Sequence, residues 1–281
     1  MLKNKLNIIL LIISALLIFS CTKKIEKKSI IQEKSIDLQI LETYKEAINE
    51  LEAGDAIFAA KKFNEVEILF PQSEWAPKST LMAAYAYYAQ DYYFDTIEEL
   101  KIFLKKYPNH KDVDYAYYLM GMAYYEQIVD EKKDLNSILM AKKQFEKVVN
   151  DFPETDYALD AKFKLDLIAD LLAAKEMYLG RYYFEKKKWI PAINRFNNIV
   201  KKYDKTIYVQ EALHRLVEVY YTIGLIDEAK KYANLLGYNY QSSEWYEMSY
   251  SIFDKKYKDN KKETQNNKNN IIIKKFKSLF E

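Results

Sequence analysis

Residues 157–186 read YALDAKFKLDLIADLLAAKEMYLGRYYFEK, thirty residues without a proline and with Gly180 as the one glycine. Two apolar rows run through this stretch at helical spacing. One holds Leu159, Phe163, Leu167, Leu171, Ala174, Tyr178 and Tyr182; the other holds Ala161, Leu165, Ile168, Leu172, Leu179 and Tyr183. A single row marks a helix lying on one core, so two rows predict a helix packed from two sides. With a rise of 1.5 Å per residue its length is about 45 Å, enough for a spine between two half-structures. The alternative is a pair of shorter helices broken at Gly180, because glycine costs about 1 kcal/mol in a helix interior.

The end of the stretch carries a repeat pattern. Leu179-Gly180, Tyr183, Ala192 and Phe196, with Asp204 where a proline often stands, follow the spacing of a tetratricopeptide (TPR) unit. Small residues sit where paired helices approach most closely, and aromatics fill the adjoining holes. The same arrangement recurs on both sides. Asp37 opens a helix with Leu38, Leu41, Tyr44, Ile48 and Leu51 on one face, ended by Gly54; a second helix, 55–69, carries Ala59, Phe63 and Val66 and stops at Phe70-Pro71. Hairpins at 76–90 with 92–106, and at 113–126 with 136–151, close on Tyr107-Pro108 and Phe152-Pro153. The long helix with 189–203 makes a fourth hairpin, and 209–223 with 227–236, turned at Gly224, a fifth.

Matching positions in the second helices are Ala59, Thr96, Ala141, Ala192 and Ala229, in steps of 37, 45, 51 and 37 residues. A charged insertion, Glu126 to Asn136, accounts for the step of 45, and the long helix for the step of 51. Residues 241–253, with Trp245, Tyr246 and Met248, read as a helix capping the stack. The expected fold is therefore all-α, a TPR-type helical solenoid of about five hairpins over 37–253, with N-terminal repeats 37–153 and C-terminal repeats 154–253. Five glycines and five prolines in 281 residues suit such a fold better than a turn-rich β fold, and most of the 26 tyrosines serve repeat packing.

Lys3 and Lys5 precede an apolar run, Ile8 to Phe19, that stops at Ser20-Cys21. This is the layout of a secretory signal over 1–20, too short to span a bilayer comfortably. Ile18-Phe19-Ser20-Cys21 resembles a bacterial lipobox, in which Cys21 becomes the lipidated first residue. Thr22 in place of an aspartate points to the periplasmic face of the outer membrane, with the lysine-rich segment 21–36 as tether. Without residues 1–20 the chain holds 41 Lys+Arg against 41 Asp+Glu, which gives no support for nucleic-acid binding. From Asp254 the sequence becomes Lys/Asn-rich and is expected to be disordered; Ile271 to Phe280 reads first as a floppy tail with incidental apolar residues and second as a short basic amphipathic helix for a membrane or partner.

The sequence offers little for catalysis. Cys21 is the single cysteine, and His110 and His214, the only histidines, lie on different repeats, so neither a Cys/His metal set nor a Cys-His nucleophile pair can be built. A glycine-rich phosphate loop is also missing. No cofactor and no enzymatic activity are expected; stacked repeats of this type bind extended peptides or partner domains.

Tyr107-Pro108-Asn109-His110, Val113-Asp114-Tyr115-Ala116-Tyr117-Tyr118 and Gly121 resemble the third repeat of the BamD family, the lipoprotein TPR subunits of the outer-membrane β-barrel assembly machine. Phe70-Pro71 with Trp75-Ala76, Ala84 to Tyr88, Tyr182-Tyr183, Trp189 and Ala192 to Arg195 extend the resemblance over roughly 41–238. It implies a scaffold anchored in the membrane through its N-terminal lipid. Its partners would be other assembly-machine lipoproteins, the POTRA domains of a BamA-like barrel subunit, and unfolded outer-membrane proteins received by the N-terminal repeats. Carried onto this chain, Arg195 matches an arginine used toward the barrel subunit, while Phe70 and Trp75 border the substrate face or pack at a repeat junction. Asp204 in place of proline and the long asparagine-rich tail depart from the family pattern. The competing reading is another periplasmic TPR adaptor lipoprotein acting in envelope maintenance or division, although no heptad run precedes Leu38.

Overall fold

The structure, a computed structural model, describes residues 35–129 and 135–254. Among these it contains eleven α-helices and no strand: α1 (Ile36–Glu52), α2 (Ala56–Leu69), α3 (Trp75–Ala89), α4 (Tyr93–Lys106), α5 (Val113–Glu126), α6 (Asn136–Asp151), α7 (Asp156–Glu185), α8 (Trp189–Lys202), α9 (Val209–Thr222), α10 (Ile226–Asn239) and α11 (Glu244–Phe253). The signal, Cys21, the tether up to residue 34 and the tail from residue 255 lie outside the described residues.

The chain forms two compact units, up to Glu42 and from Thr43 onward. In the first, Leu38 and Leu41 are exposed, contrary to the face expected for them, and Ile40 is buried instead. The second unit is a serial stack in which each helix from α2 to α10 packs on the next, and α11 covers α9 and α10. Contacts between α3 and α5 and between α5 and α7 join the first helices of successive hairpins.

Short-range bonds repeated in register shape every hairpin. Five residues before each small residue, the turn places Gly54, Asp91, Lys187 and Gly224 in the left-handed region, with φ of 85°, 62°, 56° and 82°. In all four turns the next N–H (Asp55, Tyr92, Lys188, Leu225) donates five residues back, to the carbonyls of Glu50, Tyr87, Tyr183 and Tyr220. This is the bond pattern of a Schellman C-terminus, which satisfies orphan carbonyls and reverses the chain. The third hairpin departs because the insertion occupies its turn.

Eleven residues after each small residue stands an aromatic that ends the second helix: Phe70, Tyr107, Phe152, Tyr203 and Tyr240. Three residues further, the N–H of Ser73, His110, Thr155, Thr206 or Ser243 donates back to that aromatic's carbonyl. Thr155 and Ser243 also cap the following helix by accepting from Ala158 and Tyr246. The cap at Ser243 explains why α11 starts at Glu244 and not at Gln241. At Asp204 the missing proline changes nothing essential, because the Thr206 hydroxyl donates to the Tyr203 carbonyl at 2.7 Å.

The small residues Ala59, Thr96, Ala141, Ala192 and Ala229 are all fully buried, as expected. Four residues on, Phe63, Leu100, Phe145 and Phe196 fill the hole that each hairpin leaves. A Cβ on Gly121 would lie 2.7 Å from the Phe145 ring, and one on Gly180 would collide with the Phe196 ring. Gly180 therefore admits an aromatic ring and does not break α7, which runs unbroken for 30 residues.

The two-sided packing of α7 is realised in halves along its length. Ala158, Ala161, Ile168 and Leu172 join α6 residues Ile138, Ala141, Phe145 and Val148 in one core. Ala173 and Met177 join Phe196, Ile199, Ala212 and Leu216 of α8 and α9 in the next. Of the second apolar row, Ala161, Ile168 and Leu172 are buried while Leu165, Leu179 and Tyr183 are half-buried, and Leu171 of the first row packs on the α6 core. Four members of the first row correct the reading: Leu159, Phe163, Tyr178 and Tyr182 are exposed, while Leu167 and Ala174 are half-buried. The packed face rotates around the helix between its halves, so no single row stays buried along all of it.

Candidate functional site

The two residue sets marked in the sequence lie in different hairpins. Arg195 sits on α8, in the helical row between Ala192 and Ile199. Its Nη1 donates to Glu176 Oε1 of α7 at 3.0 Å, and Asn198 Nδ2 donates to the other oxygen, Oε2, at 3.1 Å. The Arg195 side chain is 36% exposed and that of Glu176 only 17%. A guanidinium carries five N–H donors in a planar fork. Glu176 accepts from one of them, and the other donors belong to a side chain that stays partly exposed. Sequence spacing could not pair Arg195 with Glu176, since the two residues meet only through the α7–α8 turn.

Trp75 opens α3, and Phe70 ends α2. The Trp75 ring meets Tyr44 edge to face with centroids 5.0 Å apart, and Tyr44 meets Phe63 in the same way at 5.1 Å. Lys78, one turn further along α3, holds its Nζ 5.1 Å from the Trp75 centroid and 5.6 Å from that of Tyr44. Burial pushes the Tyr44 phenol pKa up, so this ring stays neutral. The result is a half-buried aromatic shelf with an ammonium at its edge, a geometry worth roughly 0.5–1 kcal/mol for a cation held this way at an exposed site.

The register of the repeats bears on both aromatics. Phe70 is the counterpart of Tyr107, Phe152, Tyr203 and Tyr240, each of which terminates a second helix. That favours the junction reading for Phe70. Trp75 has aromatic counterparts in Tyr157, Tyr208 and Trp245, and Trp245 meets His214 with centroids 5.3 Å apart, tilted where Trp75 and Tyr44 meet edge to face. A cation beside the ring is shared with the last of these counterparts, since Arg215 lies 5.8 Å from the Trp245 centroid; at Trp75 that cation is Lys78, which no sequence motif singled out.

A third polar group also escaped the sequence reading. Arg181 of α7 grips Glu211 of α9 through Nε, at 2.8 Å, and through Nη2. Arg215 joins Glu211 to Glu218 and stacks on Phe184 and Trp245. Burial pushes the Glu218 carboxyl up, but His214 and Arg215 outweigh it and hold the pKa below its ordinary value. His214, itself buried, places Nδ1 2.8 Å from Ser249 of α11 and ties the cap to the stack. The i,i+3 and i,i+4 members of this network were legible, and the α7–α9 pair was not.

Among the described residues no group of His, Cys, Asp and Glu is arranged to hold a metal ion, and no helix is long and apolar enough to cross a membrane.

Comparison with known proteins gives the same family as the repeat motifs. The profile of a family described as "YfiO: Outer membrane lipoprotein" matches residues 37–235. Outer membrane protein assembly factor BamD of Rickettsia prowazekii is 38% identical over 242 residues, covering 86% of this chain and 94% of the relative. Its namesake from Caulobacter vibrioides is 37% identical over 235 residues, 83% and 76% of the two chains. The protein of that name from Neisseria meningitidis is 30% identical over 220 residues, 74% and 81%.

Proposed function

The chain belongs to the YfiO family of outer membrane lipoproteins, and from that premise we propose that it is a non-catalytic scaffold in outer-membrane protein assembly. The observation that carries this reading is the match of the family profile to 37–235, nearly the whole helical stack, together with relatives named as outer membrane protein assembly factors. In this reading the protein holds a BamA-like barrel subunit through its POTRA domains, works beside other assembly lipoproteins, and receives unfolded outer-membrane proteins. It sits on the periplasmic face of the outer membrane, attached through lipid on Cys21.

Arg195 supplies the contact to the barrel subunit. The fork bonded to Glu176 meets a partner carboxylate, an arrangement that arginine serves better than lysine. A single charge reversal would confound binding with stability, since it would set two carboxylates side by side. The exchange Arg195→Glu with Glu176→Arg keeps an internal ion pair but inverts the outward charge. Stability should change by no more than about 1 kcal/mol, as for a partly exposed pair. Co-purification of the barrel subunit should fall at least tenfold. Full retention of the subunit by the folded exchange variant would remove Arg195 from the interface.

On the N-terminal side, the shelf of Tyr44 and Trp75 with Lys78 fits a peptide that ends in an aromatic residue and a carboxylate, the ring stacking on Trp75 and the carboxylate meeting the ammonium. Membrane attachment is tested separately. Cys21→Ala should eliminate incorporation of labelled fatty acid and move the protein to the soluble fraction; undiminished labelling would remove the anchor at Cys21.

A further inference from the structure

The exposed part of the first apolar row of α7 forms a defined surface. Asp156, Leu159, Phe163, Asp166 and Asp170 follow one another at steps of three and four and so share one face of the helix. Leu159 is 71% exposed and Phe163 60%. No ion pair among the described residues uses Asp156, Asp166 or Asp170. Two other exposed apolar positions are set differently. Beside Phe94, Asp91 accepts from the Tyr93 hydroxyl and Glu98 pairs with Lys101; Ile190 follows Lys186, Lys187 and Lys188.

Charge is also unevenly divided along the chain. Residues 35–254 hold 27 Lys+Arg against 36 Asp+Glu, whereas 255–281 hold nine lysines against three acids. Within the latter, Ile272, Ile273, Phe276, Leu279 and Phe280 recur at helical spacing, with Lys275 and Lys277 one position either side of Phe276. Read as a helix, this segment has an apolar row bordered by lysines, opposite in sign to the three aspartates of the α7 face, where Lys164 beside Phe163 is turned to the Tyr125 ring and Lys162 is exposed.

We propose that the segment Ile271–Phe280 docks in cis on the face of α7 formed by Asp156, Leu159, Phe163, Asp166 and Asp170. Phe276 and its apolar neighbours cover Leu159 and Phe163, and Lys275 and Lys277 reach the aspartates. The sixteen residues between Asp254 and Ile271 can extend over roughly 55 Å, more than the length of α7. Complementary charge selects this face over other exposed apolar positions, and salt weakens the contact. The inference rests on the surface and on the charge of the segment, and stands independently of the assembly role.

The test places p-benzoylphenylalanine at position 163 of the purified full-length chain. Irradiation at low salt should give an intramolecular cross-link to a peptide within 269–281, identified by mass spectrometry. Lys275→Glu with Lys277→Glu should lower its yield at least fivefold, Asp166→Lys with Asp170→Lys in that background should restore it, and raising salt to about 0.5 M should reduce it. All substituted positions on α7 are exposed or half-buried, so unchanged melting by circular dichroism is expected for each variant. Absence of the cross-link, a cross-link to a second copy or to lipid alone, or a yield indifferent to charge reversal would each overturn the proposal.

Discussion

Ile168→Asp is expected to abolish cooperative thermal unfolding of the repeats. Ile168 is fully buried on the half of α7 that meets α6, in a core with Ala141, Phe145, Val148, Ala161 and Leu172. That core is built from apolar side chains, so the carboxylate must either remain charged in an apolar setting or take up a proton at the expense of its normal ionisation. Either course costs several kcal/mol, against a total stability of about 5–15 kcal/mol for a domain. Ile190→Asp, at an exposed position of α8, is the control, and its stability should stay within about 0.5 kcal/mol of the unaltered protein, as is typical of surface changes. Circular dichroism melting of the two variants decides the matter. Equal melting curves would show that α7 does not pack as described.

The second large effect is expected at Phe196. Its ring is fully buried, and α7 approaches so closely that only glycine fits at position 180. Phe196→Ala removes the ring and leaves a void that the backbones cannot close, at a cost of about 3–5 kcal/mol. In a stack whose units are stabilised mainly by their neighbours, the loss should fall on the hairpins around α8 first. A separate early transition is therefore expected, absent from the unaltered protein. Gly180→Ala tests the geometry independently. Alone it should destabilise, because overpacking of about 1–3 kcal/mol exceeds the gain of about 1 kcal/mol in helix propensity. In the Phe196→Ala background the same change should be neutral or stabilising. Additive effects of the two substitutions would mean that the ring and the glycine do not meet.

Much of the fold was legible because the determinants are local. Ala59, Thr96, Ala141, Ala192 and Ala229 could be aligned by eye, and each proved fully buried. The aromatic-proline pairs at Phe70, Tyr107 and Phe152 marked helix ends, since proline cannot continue a helix. Less visible were the turns at Asp91 and Lys187. Both adopt a conformation that favours glycine, and only the repeated backbone bonds reveal them. The faces of α1 and α7 were misjudged at Leu38, Leu41, Leu159 and Phe163 for one shared reason. Periodicity tells that a helix has an apolar row but not whether a neighbour covers that row along its whole length.

For the candidate sites the limit was distance along the chain. Arg195 and Trp75 were reachable through motifs, but what orients them was not. Glu176 lies nineteen residues before Arg195, and Tyr44 lies thirty-one before Trp75. Each pair exists only because a hairpin folds back, and no spacing rule connects its members.

The unbroken backbone of α7 has a consequence for how the array comes apart. In a linear stack, partial unfolding stops most readily at a junction where one unit's hydrogen-bond ladder ends before the next begins. The chain offers such junctions after Phe70, Tyr107 and Tyr203, each with a helix end and a short connection. Between Ile168 and Met177 it offers none, for one ladder passes from the first core into the second. Strain applied to the hairpin of α5 and α6 is thus transmitted to α8 and α9 by a rod and not by a joint.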